Sequence, residues 1–290
     1  MPAAPGKPEG RPPGKPEGEL KSAVLFGAGR MGAAMARGWL RKLKDAGLAK
    51  LFVVEPAASE EIAAWRKSGK IALNRRALAV DVAVLAVKPQ SFAKAARDIS
   101  GWIGRDTLVI SIMAGITISS ISMALGAKKV ARAMPNTPGA IGKGVTGYAL
   151  SKQCGDAEKA TTEKLLSPLG DVVGPLEEKH IDAVTAVSGS GPAYVFLLAE
   201  ALEAAARHAK LDDATAAALA RKTIIGAAAL LADGGDPGEL RKAVTSPGGT
   251  TAAALDILMA RGGLPELMRK AVEAAVNRGA ELSKEVEKKR

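Results

Sequence analysis

The sequence is short of sulfur, imidazole and aromatic rings. One cysteine, Cys154, among 290 residues leaves no intramolecular disulfide and points to a reducing compartment such as the cytoplasm. Cys154 stands in a polar, loop-like stretch with no base beside it, so it reads as incidental rather than nucleophilic. The two histidines, His180 and His208, are isolated, with no Cys, His or carboxylate at metal-ligand spacing, so no metal site is expected. Aromatics make up only 3% of the chain, too few for a base-stacking surface. Lys and Arg form no block of about five or more. The net charge of +11 therefore reads as solvated surface plus an affinity for small anions, not for nucleic acid. No uninterrupted apolar run of about 18 residues occurs, so no transmembrane helix is expected. The N-terminus has no apolar segment of a secretory signal.

What is abundant is Ala and Gly, which suits tightly packed helices better than a β-sandwich. The length accommodates one large or two modest domains. Residues 1–20 carry the hexamer Pro-Gly-Lys-Pro-Glu-Gly twice, at 5–10 and 13–18. With nothing to bury, this segment is expected to be a disordered tail. Its three basic and three acidic residues cancel, so the positive excess belongs to the rest of the chain.

Ser22 to Phe26 is a short apolar strand, followed by Gly27-Ala28-Gly29-Arg30-Met31-Gly32 and a helical run. This is GxGxxG in the setting it needs: strand, tight turn, helix. Gly27 permits the turn, Gly29 lets a pyrophosphate approach the backbone, and Gly32 lets helix and strand pack closely. A second strand, 51–54, ends at Glu55, close to where an acid grips the adenosine ribose. A carboxylate there favours NAD over NADP, whereas Arg66, Lys67, Arg75 and Arg76 supply the opposite preference; Glu55 also reads as a plain solvated strand-end acid. Strands follow at 81–87, 107–113 and 129–134. The first ends in Lys88-Pro89-Gln90, where Lys88 reads equally as a general acid, a phosphate contact or a solvated loop lysine.

Strand signals fade after about residue 180. Ser188-Gly189-Ser190-Gly191-Pro192 punctuates, and helices are expected at 193–209, 213–232, 238–244, 250–260 and 265–286. Several are apolar around much of their girth, which predicts burial against a second subunit and an intertwined homodimer through 181–290. The turn Val244-Thr245-Ser246-Pro247-Gly248-Gly249-Thr250-Thr251 combines hydroxyls, glycines and a helix start. That suits a small anion such as a carboxylate, or is simply a capped helix.

Five segments, in this order and spacing, resemble the pyrroline-5-carboxylate reductase family, which catalyses the last step of L-proline biosynthesis. They are 26–32, Ala86-Val87-Lys88-Pro89-Gln90, 132–138 (Arg-Ala-Met-Pro-Asn-Thr-Pro), 188–194 and 244–251. The resemblance covers about residues 22–280. It implies an oxidoreductase that reduces 1-pyrroline-5-carboxylate with NADPH or NADH. It also implies an α/β, Rossmann-like dinucleotide-binding domain (21–180), then an all-α dimerisation and substrate domain (181–290), often assembled further into a decamer. Matched by motif, cofactor contacts fall on Gly27, Ala28, Gly29, Arg30, Met31, Gly32, Ala86, Val87, Lys88, Pro89, Ile112, Met113 and Ala114. Asn74 matches a family asparagine near the cofactor, one residue short in its spacing to Ala86. Substrate contacts fall on Ser246, Gly248, Gly249, Thr250 and Thr251. Thr251 is the candidate catalytic residue, as an orienter of the ring nitrogen: its hydroxyl pKa is too high for a general acid, so solvent supplies the proton. Two departures stand out: Glu55-Pro56-Ala57 replaces the Asn-Arg or Ser-rich sequence of strict NADP users, and the repeated tail is no family feature.

Two other classes compete. A hydroxyacid dehydrogenase would place a lysine on a helix of the second part, but Glu200, Glu203 and Arg207 precede Lys210 there. Assay with hydroxyacids and NAD separates it. A dinucleotide-binding regulatory protein would bind cofactor without turnover, and erosion of Ser246–Thr251 would betray it.

Overall fold

A computed structural model describes residues 20–46, 49–75 and 78–288. Residues 1–19 of the proposed tail, and Arg76, lie outside the described residues. The elements run β1 (Ser22–Phe26), α1 (Arg30–Ala46), β2 (Lys50–Val54), α2 (Glu60–Lys67), β3 (Ala72–Leu73), β4 (Val82–Leu85), α3 (Pro89–Ser100), β5 (Leu108–Ser111), α4 (Ile118–Leu125), β6 (Lys129–Met134), β7 (Gly144–Leu150), α5 (Asp156–Leu166) and β8 (Gly170–Leu176). From there the chain is helical: α6 (Ile181–Val184), α7 (Gly191–His208), α8 (Asp213–Ala232), α9 (Pro237–Ala243), α10 (Thr250–Leu258) and α11 (Leu264–Lys288).

One eight-stranded sheet has the order β3-β2-β1-β4-β5-β6-β7-β8. β1 to β6 are parallel, β7 runs antiparallel to β6, and β8 parallel to β7. The winding leaves β1 for β3 on one side and resumes at β4 on the other. A doubly wound sheet opens its ligand crevice at the carboxyl edge of that reversal.

The strands read as continuous apolar runs because both faces are covered. Ala23, Leu25, Val82, Val84 and Ile110 meet Met35 and Trp39 of α1 on one face. Val24, Phe26, Leu85, Val109 and Val130 meet Phe92, Ile99 and Trp102 on the other. Trp39 Nε1 donates to the Leu165 carbonyl at 2.8 Å, so its polar end is satisfied inside the core. Cys154 lies half-buried against the first of these cores, with Sγ 3.4 Å from Ser151 Oγ.

The structure departs from the sequence-based expectations in four places. The strands expected at 81–87 and 107–113 stop at Leu85 and Ser111, because 86–88 and 112–114 leave the sheet as loops. β3, β7 and β8 were not foreseen; β7 and β8 carry glycines and a proline that read as turns. Those glycines serve close packing instead: a side chain at Gly147 would meet Val184 at 2.7 Å.

The third departure lies upstream of Ser188–Pro192: Pro192 does stand in the first turn of α7, but the chain is already helical before it. A helix runs through 178–208 with a π-turn at Thr185–Gly189. Thr185 and Ser188 hydroxyls donate back to the Ile181 and Val184 carbonyls, and Tyr194 OH donates to Ala186 O.

Fourth, two helical segments, Glu178–His208 and Asp213–Ala232, are long and apolar enough by length and composition to cross a membrane. Their apolar runs are interrupted, in α8 by Arg221 and Lys222. Only 11% of each apolar window is buried within the single chain. Phe196 and Ile225 are each 62% exposed and Ile257 75%. A helix apolar on all sides requires a covering surface.

Candidate active site

The glycine loop after β1 is built by two tight approaches. Gly27 has φ +88°, and its amide donates to the Val54 carbonyl at 3.0 Å. A side chain there would stand 2.6 Å from Ala86 O. A side chain at Gly32 would run into the Gly27 carbonyl oxygen, so α1 leaves the sheet at a distance only glycine allows. Gly29 differs: its side-chain position faces open space, with nothing within 4 Å. Arg30 is exposed beside it, and the first amides of α1 have no intrahelical acceptors.

Glu55 is not a free strand-end acid. Its carboxylate accepts the Ala28 amide at 2.7 Å and the Ala57 amide at 3.0 Å. Asn74, at φ +48°, clamps the Glu55 backbone from both sides: its Oδ1 accepts the Glu55 amide at 2.9 Å and its Nδ2 donates to the Glu55 carbonyl at 3.0 Å. The ends of β1, β2 and β3 are thereby locked together.

Ala86 and Val87 lie next to this loop, with the Ala86 amide donating to Phe26 O at 2.8 Å. Lys88 caps α3 through its backbone alone, Pro89 falls in the first turn, and the Lys88 side chain is exposed. Ile112 donates to Leu85 O at 3.0 Å, and Met113 donates to Ser111 Oγ at 3.2 Å. Gly27–Gly32, Glu55, Asn74, Ala86–Pro89 and Ile112–Ala114 are thus gathered on one edge of the sheet.

Ser246–Thr251 stands apart from that edge. Gly248 takes φ +70°, and Gly249 caps α10, its amide donating to Ser246 O at 3.1 Å. No side chain caps α10, and Ser246, Gly248 and Thr250 are exposed while Thr251 is half-buried. Among the described residues, no hydrogen bond or ion pair joins 244–258 to the sheet. Within the single chain the glycine-loop edge and the Ser246–Thr251 turn are thus two separate places.

A concavity of about 800 Å³ follows the β3 edge past Lys50, Lys70, Asn74 and Arg75, and a second of about 470 Å³ adds Arg66. Neither is lined by the glycine loop or by Ser246–Thr251. They do set Arg66 and Arg75 beside Asn74. Lys210, the lysine weighed for hydroxyacid chemistry, is exposed past the end of α7 at φ +73°.

Sequence reasoning missed Arg132. It sits inside β6 with its side chain only 3% exposed, paired with Asp182 at 2.8 Å and Glu178 at 3.5 Å. The signal was present: an arginine in an apolar central strand demands a buried acidic partner.

The family model for pyrroline-5-carboxylate reductase dimerisation matches residues 178–282, and that for the coenzyme F420-dependent NADP oxidoreductases matches 21–115. The chain is 36% identical over 275 residues to pyrroline-5-carboxylate reductase 2 of Bacillus subtilis, covering 92% of this chain and 96% of that protein. It superposes on a pyrroline-5-carboxylate reductase from Coxiella burnetii with a TM-score of 0.82 at 33% identity, over 91% of this chain and 99% of the other. A Plasmodium falciparum pyrroline carboxylate reductase with NADP bound aligns with a TM-score of 0.74 at 27% identity, over 92% and 99%.

Proposed function

This chain belongs to the pyrroline-5-carboxylate reductase family, and on that premise we propose that it reduces 1-pyrroline-5-carboxylate to L-proline with NADPH or NADH. The observation that carries the reading is the gathering of Gly27–Gly32, Ala86–Lys88 and Ile112–Ala114 at the β1/β4 reversal. The loop fits a dinucleotide: the space over Gly29 is open, and the first amides of α1 are available to phosphate.

When bound, the reduced nicotinamide supplies the hydride that the imine carbon accepts, and a proton completes the amine. The chain's own task is to bind and orient. The amides of Gly248 and Thr250, with the Ser246 hydroxyl, hold the substrate carboxylate; Gly249 shapes the turn, its own amide being given to Ser246 O, and Pro247 has no amide to offer. Thr251 Oγ orients the ring nitrogen, and solvent delivers the proton. Holding the reacting carbons at near-attack distance is the main source of rate in such a site.

The protein is a homo-oligomer, and the helical part supplies the dimer contact. Covering the exposed faces of α7 and α8 in this way accounts for their hydropathy without a membrane. We place Ser246–Thr251 of one protomer against the cofactor edge of its partner, because within one chain the two stand apart. The division into 21–180 and 181–290, assembly of dimers into a decamer, and a cytoplasmic location complete the proposal. The test is an assay of the purified protein with 1-pyrroline-5-carboxylate and each reduced cofactor. Absence of proline with both overturns the reading.

A further inference from the structure

A charged cluster lies where the sheet meets the helical part. Arg132 shares the β6 face of Val130 and Met134, the face covered by α4 and α6. Its guanidinium donates to Asp182 Oδ1 at 2.8 Å and lies 3.5 Å from Glu178 Oε1. Glu178 Oε1 also accepts the Ile118 amide, the first of α4, at 2.7 Å. Arg132 Nε is buried without a hydrogen-bond partner among the described residues. Taking a charge out of water is costly, and such a cluster gives little stability over apolar packing of the same volume. What it does give is one fixed geometry between three elements.

Both connections to the substrate turn pass over this point. Upstream, the helix containing Asp182 continues into Val184 against Gly147, then into Gly189, whose side-chain position is 3.9 Å from Met134 Cγ at the end of β6. Downstream, α11 returns onto α6, with the side-chain position of Gly279 3.8 Å from Asp182 Cβ. We propose that Arg132 is a positioning residue: by holding Asp182 and Glu178 it seats the helical part on its own sheet and so sets where the dimer carries Ser246–Thr251 relative to the partner's cofactor edge. The proposal rests on the reductase reading. Cofactor affinity rests mainly on the glycine loop at β1 and β4, away from β6; Ile112–Ala114, after β5, are the cofactor-edge residues nearest the cluster.

The test compares the full-length oligomer with its Arg132→Met, Arg132→Lys, Asp182→Asn and Glu178→Gln variants. Arg132→Met is expected to lower kcat/KM for 1-pyrroline-5-carboxylate about tenfold or more, as a misplaced reactant does. Its Kd for NADPH, read by fluorescence titration, stays within about twofold, and Arg132→Lys recovers part of the loss. Asp182→Asn moves kcat/KM in the same direction, and the double variant is no worse than Arg132→Met alone. Unchanged kcat/KM in Asp182→Asn and Arg132→Lys overturns the proposal, as does NADPH affinity falling in step with kcat/KM. If Arg132→Met does not fold, Asp182→Asn and Glu178→Gln carry the test. Amide hydrogen exchange at 185–190 provides a readout independent of substrate: it quickens in Asp182→Asn if the seating depends on the cluster, and unchanged exchange overturns it. Failure of the wild-type protein to make proline counts against the reductase reading alone.

Discussion

The Glu55 carboxylate accepts the Ala28 amide at 2.7 Å, so the acid that closes β2 also holds the glycine loop after β1. Its charge stays at the carboxyl end of β2, the place at which a Rossmann-like fold meets the adenosine ribose and where a 2′-phosphate would add more negative charge. NADH is therefore expected to compete with NADPH, with specificity constants within about tenfold of each other. Glu55→Gln keeps an acceptor for Ala28 and removes the charge, which moves the preference toward NADPH. A strong NADPH preference in the wild-type protein would contradict the carboxylate argument.

The glycines of the loop separate fold from binding. Gly32→Ala drives a methyl into the Gly27 carbonyl and is expected to lower Tm by several degrees, the response to about 1–3 kcal/mol of overpacking. Gly29→Ala meets nothing within 4 Å, so Tm stays put while cofactor affinity drops. Thermal melts and NADPH titrations of both variants check the contrast. Equal effects on Tm would refute it.

Thr251→Ala is expected to reduce proline formation about tenfold or more, the scale of losing one orienting hydrogen bond in a site. NADPH binding changes little, since Thr251 lies outside the glycine loop. Undiminished turnover would remove Thr251 from the mechanism.

Acid should loosen the packing of α5 on the sheet. Burial pushes the Glu158 carboxyl up, but the Lys129 ammonium at 2.9 Å and the Gly155 amide at 2.8 Å outweigh it and hold it below the usual range. The Arg37 hydrogen bond lowers Glu61 likewise, on a more exposed pair. A carboxyl lowered on folding contributes stability that is complete above its unfolded value, about 4.3, and is lost as pH falls through the folded value. Tm is expected to decline across that window, and Glu158→Gln to flatten the decline. An identical pH slope in the variant would sink the assignment.

Light scattering should find the protein at twice the chain mass or a multiple of it. Ile225→Glu puts a charge on an apolar face of α8 and is expected to shift the population toward single chains and lower activity with it. A wild-type protein that is monomeric at micromolar concentration would leave those faces unexplained.

The sheet was legible as far as its apolar runs went: β1, β2, β4, β5 and β6 announce themselves because parallel strands are covered on both faces. β7 and β8 stayed hidden behind Gly144, Gly147, Gly170 and Pro175, whose purpose is visible only against neighbouring backbone and Val184. The glycine loop and the turn at 246–251 could be found from residue type and spacing. The partners of Glu55 and Arg132 could not, since hydrogen bonds across 27 and 50 residues of sequence leave no local pattern. Ser188–Pro192 hides the upstream helix for a physical reason: the π-turn at Thr185–Gly189 closes with the Ser190 amide on Thr185 O, and Pro192 falls in the first turn of α7, where no amide is needed.

All eight strands are complete by Leu176, before any of the long apolar helices begins. Every strand of the sheet therefore leaves the ribosome ahead of that surface, and the nucleotide-binding half is free to fold during synthesis. The helices that follow leave most of their apolar faces uncovered within their own chain. Covering those faces takes another copy of the chain, so that step depends on protein concentration. The position of β8 in the sequence thus divides biogenesis into a step each chain completes alone and a step that depends on how many copies are nearby.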